Sequence, residues 1–226
     1  MRLSTGHVFL GLAAALGIAV LAAGADPVVP NSNRGYAPEQ PLPFSHRLHA
    51  GELQMDCLFC HHGARKGAHA GLPETELCMA CHAQVSAPFE QVVTERERAA
   101  REGGEPATLV SPALAALYRF AGWDPETRAP RADATPRPVP WVRVHNMPDF
   151  VAFDHSVHVA RGLACQSCHG PVQAMERVRQ ELDMTMGWCI ECHRSQPVAP
   201  AVGSPTPGAA ADDRAHVSTD CAACHY

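Results

Sequence analysis

The sequence predicts a mostly irregular fold with little β-structure. Short α-helices pack around something other than side chains, behind an N-terminal hydrophobic helix. Three observations predict it. Twenty prolines and 17 glycines among 226 residues work against long uninterrupted helices or a large sheet. Aromatic residues make up only 6% of the chain, a thin supply of large core side chains. Finally, all ten cysteines fall in CxxC pairs, and every pair is followed at once by histidine. A net charge of −5, with no basic stripe and no interleaving of basic and aromatic residues, argues against nucleic acid as a partner.

The five sets are Cys57, Cys60 and His61; Cys78, Cys81 and His82; Cys165, Cys168 and His169; Cys189, Cys192 and His193; and Cys221, Cys224 and His225. This is the attachment motif of c-type haem. Two thiols add across the two vinyl groups of one porphyrin, and the adjacent imidazole meets the iron from the proximal side. With 14 histidines in the chain, five placements directly after CxxC arise by chance about once in a million. Structural zinc needs four ligands per metal, usually from two CxxC halves, and five halves do not pair. A disulfide framework explains ten cysteines but not five histidines. The fold class is therefore a multihaem cytochrome with five covalently bound haem c groups.

At the N-terminus, Arg2 precedes an apolar run of 18 residues from Val8 to Ala25. A membrane span takes about 20 apolar residues and a signal core about 7–15, so residues 1–25 read either as a retained anchor or as a signal cleaved near Ala25. Both readings export the body of the chain.

Within the body an internal repeat marks the architecture. PFSHRLH, with Phe44, His46 and His49, is separated from Cys57 by seven residues, and AFDHSVH, with Phe153, His155 and His158, from Cys165 by six. Each copy is followed by a second motif, with 16 residues separating His61 from Cys78 and 19 separating His169 from Cys189. The organisation predicted is a dihaem module over 26–83, a haem-free insert over 84–139 and a trihaem module over 140–226. In the insert, Ser111 and Pro112 form an N-cap and first-turn pair for a helix to Phe120, with Leu114, Leu117 and Tyr118 on one face. Pro88 to Arg101 suits another, with Phe89, Val92, Val93 and Ala100 inward. A further helix is expected at Val172 to Leu182, with Met175, Val178 and Leu182 on one side. Arg128 to Pro140 and Pro197 to Pro207 read as extended linkers.

Function turns on the second axial position of each iron, because an open position binds substrate and a filled one only passes electrons. Nine histidines remain beyond the proximal five. Two HxxH pairs supply His46, His49, His155 and His158, and His145 in WVRVHNMPDF is the fifth candidate. His62, His69, His216, Met184 and Met186 are further possibilities for individual irons, set against ordinary roles in solvated loops or in packing against porphyrin.

The FxHxxH pair followed by CxxCH resembles cytochromes of the c3 and c7 class. That resemblance implies that His49 serves the haem on Cys57 and Cys60, and His158 the haem on Cys165 and Cys168, while His46 and His155 reach across to other haems. More specifically, PFSHRLHAGELQMDC, AGLPETELCMACH, WVRVHNMPDFVAFDHSVHVARGLACQSCHG and TMGWCIECHR are similar to the pentahaem cytochrome subunit of bacterial alternative complex III. These motifs cover most of 41–83 and 140–194. The resemblance implies an electron-transfer subunit, not itself an enzyme, in a membrane-associated hetero-oligomer that oxidises quinol and reduces a periplasmic acceptor. Implied partners are an iron-sulfur subunit related to molybdopterin oxidoreductases, polytopic quinol-binding membrane subunits and a monohaem cytochrome c. The implied location is the periplasmic side of the bacterial inner membrane, held by an N-terminal anchor. The alternatives are a free-standing membrane-anchored multihaem quinol dehydrogenase and a soluble periplasmic shuttle released by cleavage. A multihaem nitrite reductase normally carries a CxxCK site, and all five motifs here end in His.

Overall fold

The computed structural model describes residues 13–17, 19, 32–195 and 217–225. The chain forms two compact units, 1–32 and 33–226. In the first, residues 13–17 of the apolar run are helical, and the rest of the expected N-terminal helix lies outside the described residues. No helix among the described residues is long and apolar enough to cross a membrane.

The second unit is built from short helices. A π-helical turn over Arg47–Glu52 carries the first histidine pair. Helix α1 (Cys57–Cys60) is the first CxxC turn, and a 3-10 turn follows over His62–Arg65. Helix α2 (Thr75–His82) holds the second motif. The insert contributes α3 (Phe89–Glu102) and α4 (Pro112–Ala121). It also contributes an antiparallel pair, β1 (Trp123–Asp124) with β2 (Ala129–Pro130). Then come α5 (His155–Ala160), α6 (Gln166–His169), a 3-10 turn over Val172–Ala174, α7 (Met186–Ser195) and a 3-10 turn over Cys221–Ala223.

The insert behaves as local chemistry predicts. The Ser111 hydroxyl accepts from the Leu114 amide, Pro112 opens α4, and Gly122 closes it at φ 62°, where a glycine pays no steric penalty. In α3 the inward position is Ala99 at 2% exposure rather than Ala100, and Phe89, expected inward, is 80% exposed. The inward stripe thus starts a turn later than hydrophobicity suggested, and Glu95 with Arg98 forms an ion pair beside it. The stretch read as linker from Arg128 begins as β2, held by the Arg131 amide donating to the Gly122 carbonyl.

Leu42, Ala116 and Leu117 form a buried cluster against which Cys78, Met79, Leu114, Val139 and Trp141 pack. Helix α4 is therefore a buttress for the second motif. The Tyr118 hydroxyl completes the joint by donating to the His82 carbonyl at 2.7 Å.

The helix expected over Val172–Leu182 is absent beyond the Val172–Ala174 turn, and tertiary hydrogen bonding explains why. The Gln180 amide donates to the Tyr36 carbonyl at 3.1 Å, and its own carbonyl accepts from the Gly35 amide at 2.7 Å. The fully buried Gln180 side chain accepts from the Asn146 amide and donates to the Leu182 carbonyl. An extended chain satisfies these groups, and a helix would turn them onto itself. Further ties run from Gln40 to both backbone groups of Val142. The stretches read as separate modules are thereby interleaved.

Candidate haem-binding sites

Each CxxCH motif is a single helical turn, which brings its two thiols to neighbouring positions on one face. Asp56 caps the first by accepting from the Leu58 amide at 2.7 Å, and Asp220 caps the fifth through the Ala222 amide at 3.0 Å. In the first, third and fifth motifs the histidine amide donates back to the first cysteine's carbonyl at 2.9, 3.0 and 2.9 Å. None of the ten cysteines is joined in a disulfide.

The two FxHxxH segments have nearly the same geometry. The Phe44 ring stacks on His49 at 4.4 Å and meets His46 edge-on at 4.9 Å. Phe153 does the same to His158 at 4.6 Å and to His155 at 4.8 Å. Each phenylalanine thus fixes two imidazoles whose outer edges face different motifs.

Four pairs of imidazoles result. His46 faces His61 with centroids 6.5 Å apart, and His155 faces His169 at 6.2 Å, both pairs within 5° of parallel. His49 faces His82 at 6.1 Å, and His158 faces His193 at 6.2 Å. With metal–imidazole bonds of about 2.0–2.1 Å and a ring centroid about 1.2 Å behind its nitrogen, two rings flanking one metal stand about 6.4 Å apart. The pairing is the reverse of the one the resemblance implied. The first histidine of each HxxH pair faces the near motif, and the second faces the following one.

Hydrogen bonds from Nδ1 to backbone carbonyls orient six of these eight rings and leave Nε2 for the metal. The Nδ1 acceptor is the carbonyl of Gly71 for His61 (2.8 Å), of Val85 for His82 (2.9 Å) and of Ser218 for His193 (2.8 Å). On the facing side, His49 uses Ser45 (2.9 Å), His155 uses Ala68 (2.6 Å) and His158 uses Asp154 (2.7 Å). The loop 63–71 is therefore a strap, since Gly71 orients a ring of the first site and Ala68 a ring of the third. Burial, reinforced by His61 and His49, pushes His46 down to about 4, and burial with neighbouring histidines does the same to His169. Both rings are neutral at pH 7, the form that ligates metal.

His145, expected as a sixth ligand, occupies a different position. Its ring lies 4.4 Å from that of His169, edge to face, with its Nε2 3.1 Å from His169 Nδ1. That is the outer nitrogen of His169, and the spacing is too short for a metal between the rings. At the fifth motif, His225 packs against Phe150 with centroids 5.7 Å apart and donates from Nδ1 to the Phe150 carbonyl at 3.3 Å. No second imidazole faces it among the described residues, and His216 lies outside them. His62, just before the strap, and His69 within it are exposed, and Met186 is 66% exposed.

The donor set identifies the group these residues fit. Among the described residues no three His, Cys, Asp or Glu side chains converge as a metal cluster. Two opposed imidazoles with no third protein donor suit a metal whose four equatorial positions come from a macrocycle. The thin interior agrees, because the buried hydrophobic residues among those described are Leu42, Ala64, Ala87, Ala99, Ala116, Leu117, Tyr118 and Met175, half of them alanine. Large apolar side chains beside the motifs stay exposed, including Phe59, Phe150 and Val157. Porphyrin faces would cover such surface.

The thiols also give the motifs a spatial order that differs from their order in sequence. Burial raises the Cys78 thiol, with Cys60 adding to it, and burial raises Cys57, with Cys165 adding to it. Cys168 is raised by burial and then by Cys192 and Cys189, and Cys189 by burial and then by Cys224. The motifs therefore neighbour one another in the order second, first, third, fourth, fifth.

Residues 151–226 match the family model described as cytochrome c7 and related cytochrome c. Over these residues the chain is similar to a cytochrome c7-like multihaem domain, a family that implies covalently bound c-type haem. That domain holds α5, both histidines of the second HxxH pair and the last three motifs. The first two motifs lie outside the matched residues but repeat the same phenylalanine and imidazole geometry. The chain is also 29% identical over 134 residues to the menaquinone reductase, multiheme cytochrome c subunit, of Nitratidesulfovibrio vulgaris. The alignment covers 58% of this chain and 46% of that relative, so this chain spans about half the length of the relative it matches.

Proposed function

We propose that this chain is a pentahaem c-type cytochrome that relays electrons as one subunit of a membrane quinone-linked oxidoreductase. It faces the periplasm of a bacterial inner membrane. The observation that carries the reading is the set of four imidazole pairs, each 6.1–6.5 Å apart and each including the histidine of a CxxCH motif. Cys57, Cys60, Cys78, Cys81, Cys165, Cys168, Cys189, Cys192, Cys221 and Cys224 hold the five haems. His61, His82, His169, His193 and His225 are the proximal ligands, and His46, His49, His155 and His158 close the second axial position of the first four. A bound haem supplies a one-electron ferric–ferrous couple. At these four sites the paired imidazoles would hold a haem from both sides, which suits electron transfer over substrate binding, and the reading assigns quinone chemistry to partner subunits.

The resemblance to alternative complex III supports an assembly with an iron-sulfur subunit, polytopic membrane subunits and a monohaem cytochrome c. It also supports retention of the N-terminal segment as an anchor. In that assembly electrons leave quinol. A second reading reverses the direction, and the name of the relative favours it, since that protein is a menaquinone reductase subunit.

Intact mass spectrometry of the holo-chain, extracted gently from native membranes with whatever copurifies, tests the proposal. The expected result is a chain carrying five haem masses, low-spin ferric signals by electron paramagnetic resonance, and iron-sulfur and polytopic subunits in the same preparation. A chain that emerges alone in the periplasmic fraction, or with fewer than five haems, refutes it. Adding quinol or oxidised menaquinone to the poised complex then separates the two directions by which one changes the haem absorbance.

A further inference from the structure

We propose that His145 is a positioning residue for the third haem site. It accepts the Nδ1 proton of the proximal His169 and thereby favours the ferric state of that site over the ferrous. The inference rests on the haem reading above and adds to it a residue that neither ligates nor attaches haem. When His169 gives Nε2 to the metal, the proton of its neutral ring sits on Nδ1, so His169 donates and His145 Nε2, at 3.1 Å, accepts. That nitrogen is then committed and cannot also bind iron.

The arrangement is specific to this site. Every other ring with an Nδ1 partner among the four pairs gives its proton to a backbone carbonyl, as do His61, His82, His193, His49, His155 and His158. His46 Nδ1 is buried with no partner. An imidazole nitrogen is a stronger base than an amide oxygen, and it draws the proton further from His169. The ligand becomes a better electron donor and stabilises the more highly charged ferric iron. Local structure holds His145 in place. The next residue, Asn146, donates its amide to the fully buried Gln180 side chain, and the His145 carbonyl accepts from Arg143.

The test is a potentiometric titration of the holo-chain followed by electron paramagnetic resonance, comparing the native protein with His145→Leu and His145→Gln. Replacement by leucine removes the acceptor. The expected result is that one of the haem couples moves to higher potential, with its ferric-over-ferrous preference falling about tenfold, which is 59 mV for one electron. The others stay in place and the shifted haem remains low-spin. Glutamine restores an amide oxygen, the acceptor used elsewhere in the molecule, and recovers part of the shift. Should the leucine variant fail to fold, the glutamine variant still reports, because it must raise the same couple by a smaller amount. Unchanged potentials in both variants overturn the proposal. A new high-spin signal also overturns it, since it would make His145 an axial ligand. Peptide mass spectrometry of the Cys165–Cys168 segment keeps the two levels apart. Unmodified thiols there refute the haem reading itself, whereas haem present with potentials unmoved refutes only the role of His145.

Discussion

Gly63 is the position where a single added methyl group should disturb two haem sites at once. A Cβ there would lie 2.7 Å from the carbonyl oxygens of both His69 and Ala70, within the strap that orients His61 and His155. An ordinary carbon–oxygen contact is about 3.3 Å, so the strap must retreat by about 0.6 Å in Gly63→Ala. The bond from His155 Nδ1 to the Ala68 carbonyl, now 2.6 Å, would stretch to the edge of the hydrogen-bond range. The bond from His61 Nδ1 to the Gly71 carbonyl, now 2.8 Å, would pass beyond it. Two weakened hydrogen bonds together with overpacking cost about 1–3 kcal/mol. Denaturant unfolding of the holo-protein should show that loss. Electron paramagnetic resonance should show altered signals for the two sites with near-parallel rings, His46–His61 and His155–His169, and unaltered signals for His49–His82 and His158–His193. An unchanged midpoint with all four signals intact would refute the strap as the element coupling the first and third sites.

Three further outcomes follow from the insert. Leu117→Ala, at a side chain 1% exposed beneath the second motif, should cost about 2–5 kcal/mol in denaturant unfolding, and a loss below about 1 kcal/mol would sink the idea that α4 supports that motif. Tyr118→Phe removes the donor to the His82 carbonyl and should cost about 0.5–1.5 kcal/mol, with the second site's signal the one that changes. Glu95 is held down to about 2 by the Arg98 side chain and the Ala107 amide, against an ordinary value of 4.5. A depressed carboxyl stabilises the fold above its ordinary value, and that contribution disappears as pH falls toward about 2, so Glu95→Gln should flatten the acid limb of the stability profile between those values. An identical acid limb in the variant would remove Glu95 from the account.

The CxxCH motifs and their short helical turns were legible in the chain, because that pattern is confined to one turn and needs no distant partner. Helix α4 was legible for the same reason, since Ser111 and Pro112 are local signals. Histidines 46, 49, 155 and 158 were also visible as candidates, through their phenylalanine-led repeat. Which motif each of them faces was not, because two rings three residues apart on one short turn point in diverging directions. The chain path alone decides which motif stands opposite each. The same limit hid the role of His145, whose partner His169 is 24 residues away, and the extended run through Gln180, whose periodicity favours a helix until Gly35 and Tyr36 claim its backbone. It hid as well the order of the motifs, which the tertiary structure sets as second, first, third, fourth, fifth. Local bonding rules can be read along one chain, whereas contacts between segments far apart in sequence exist only once burial and hydrogen bonding have brought those segments together.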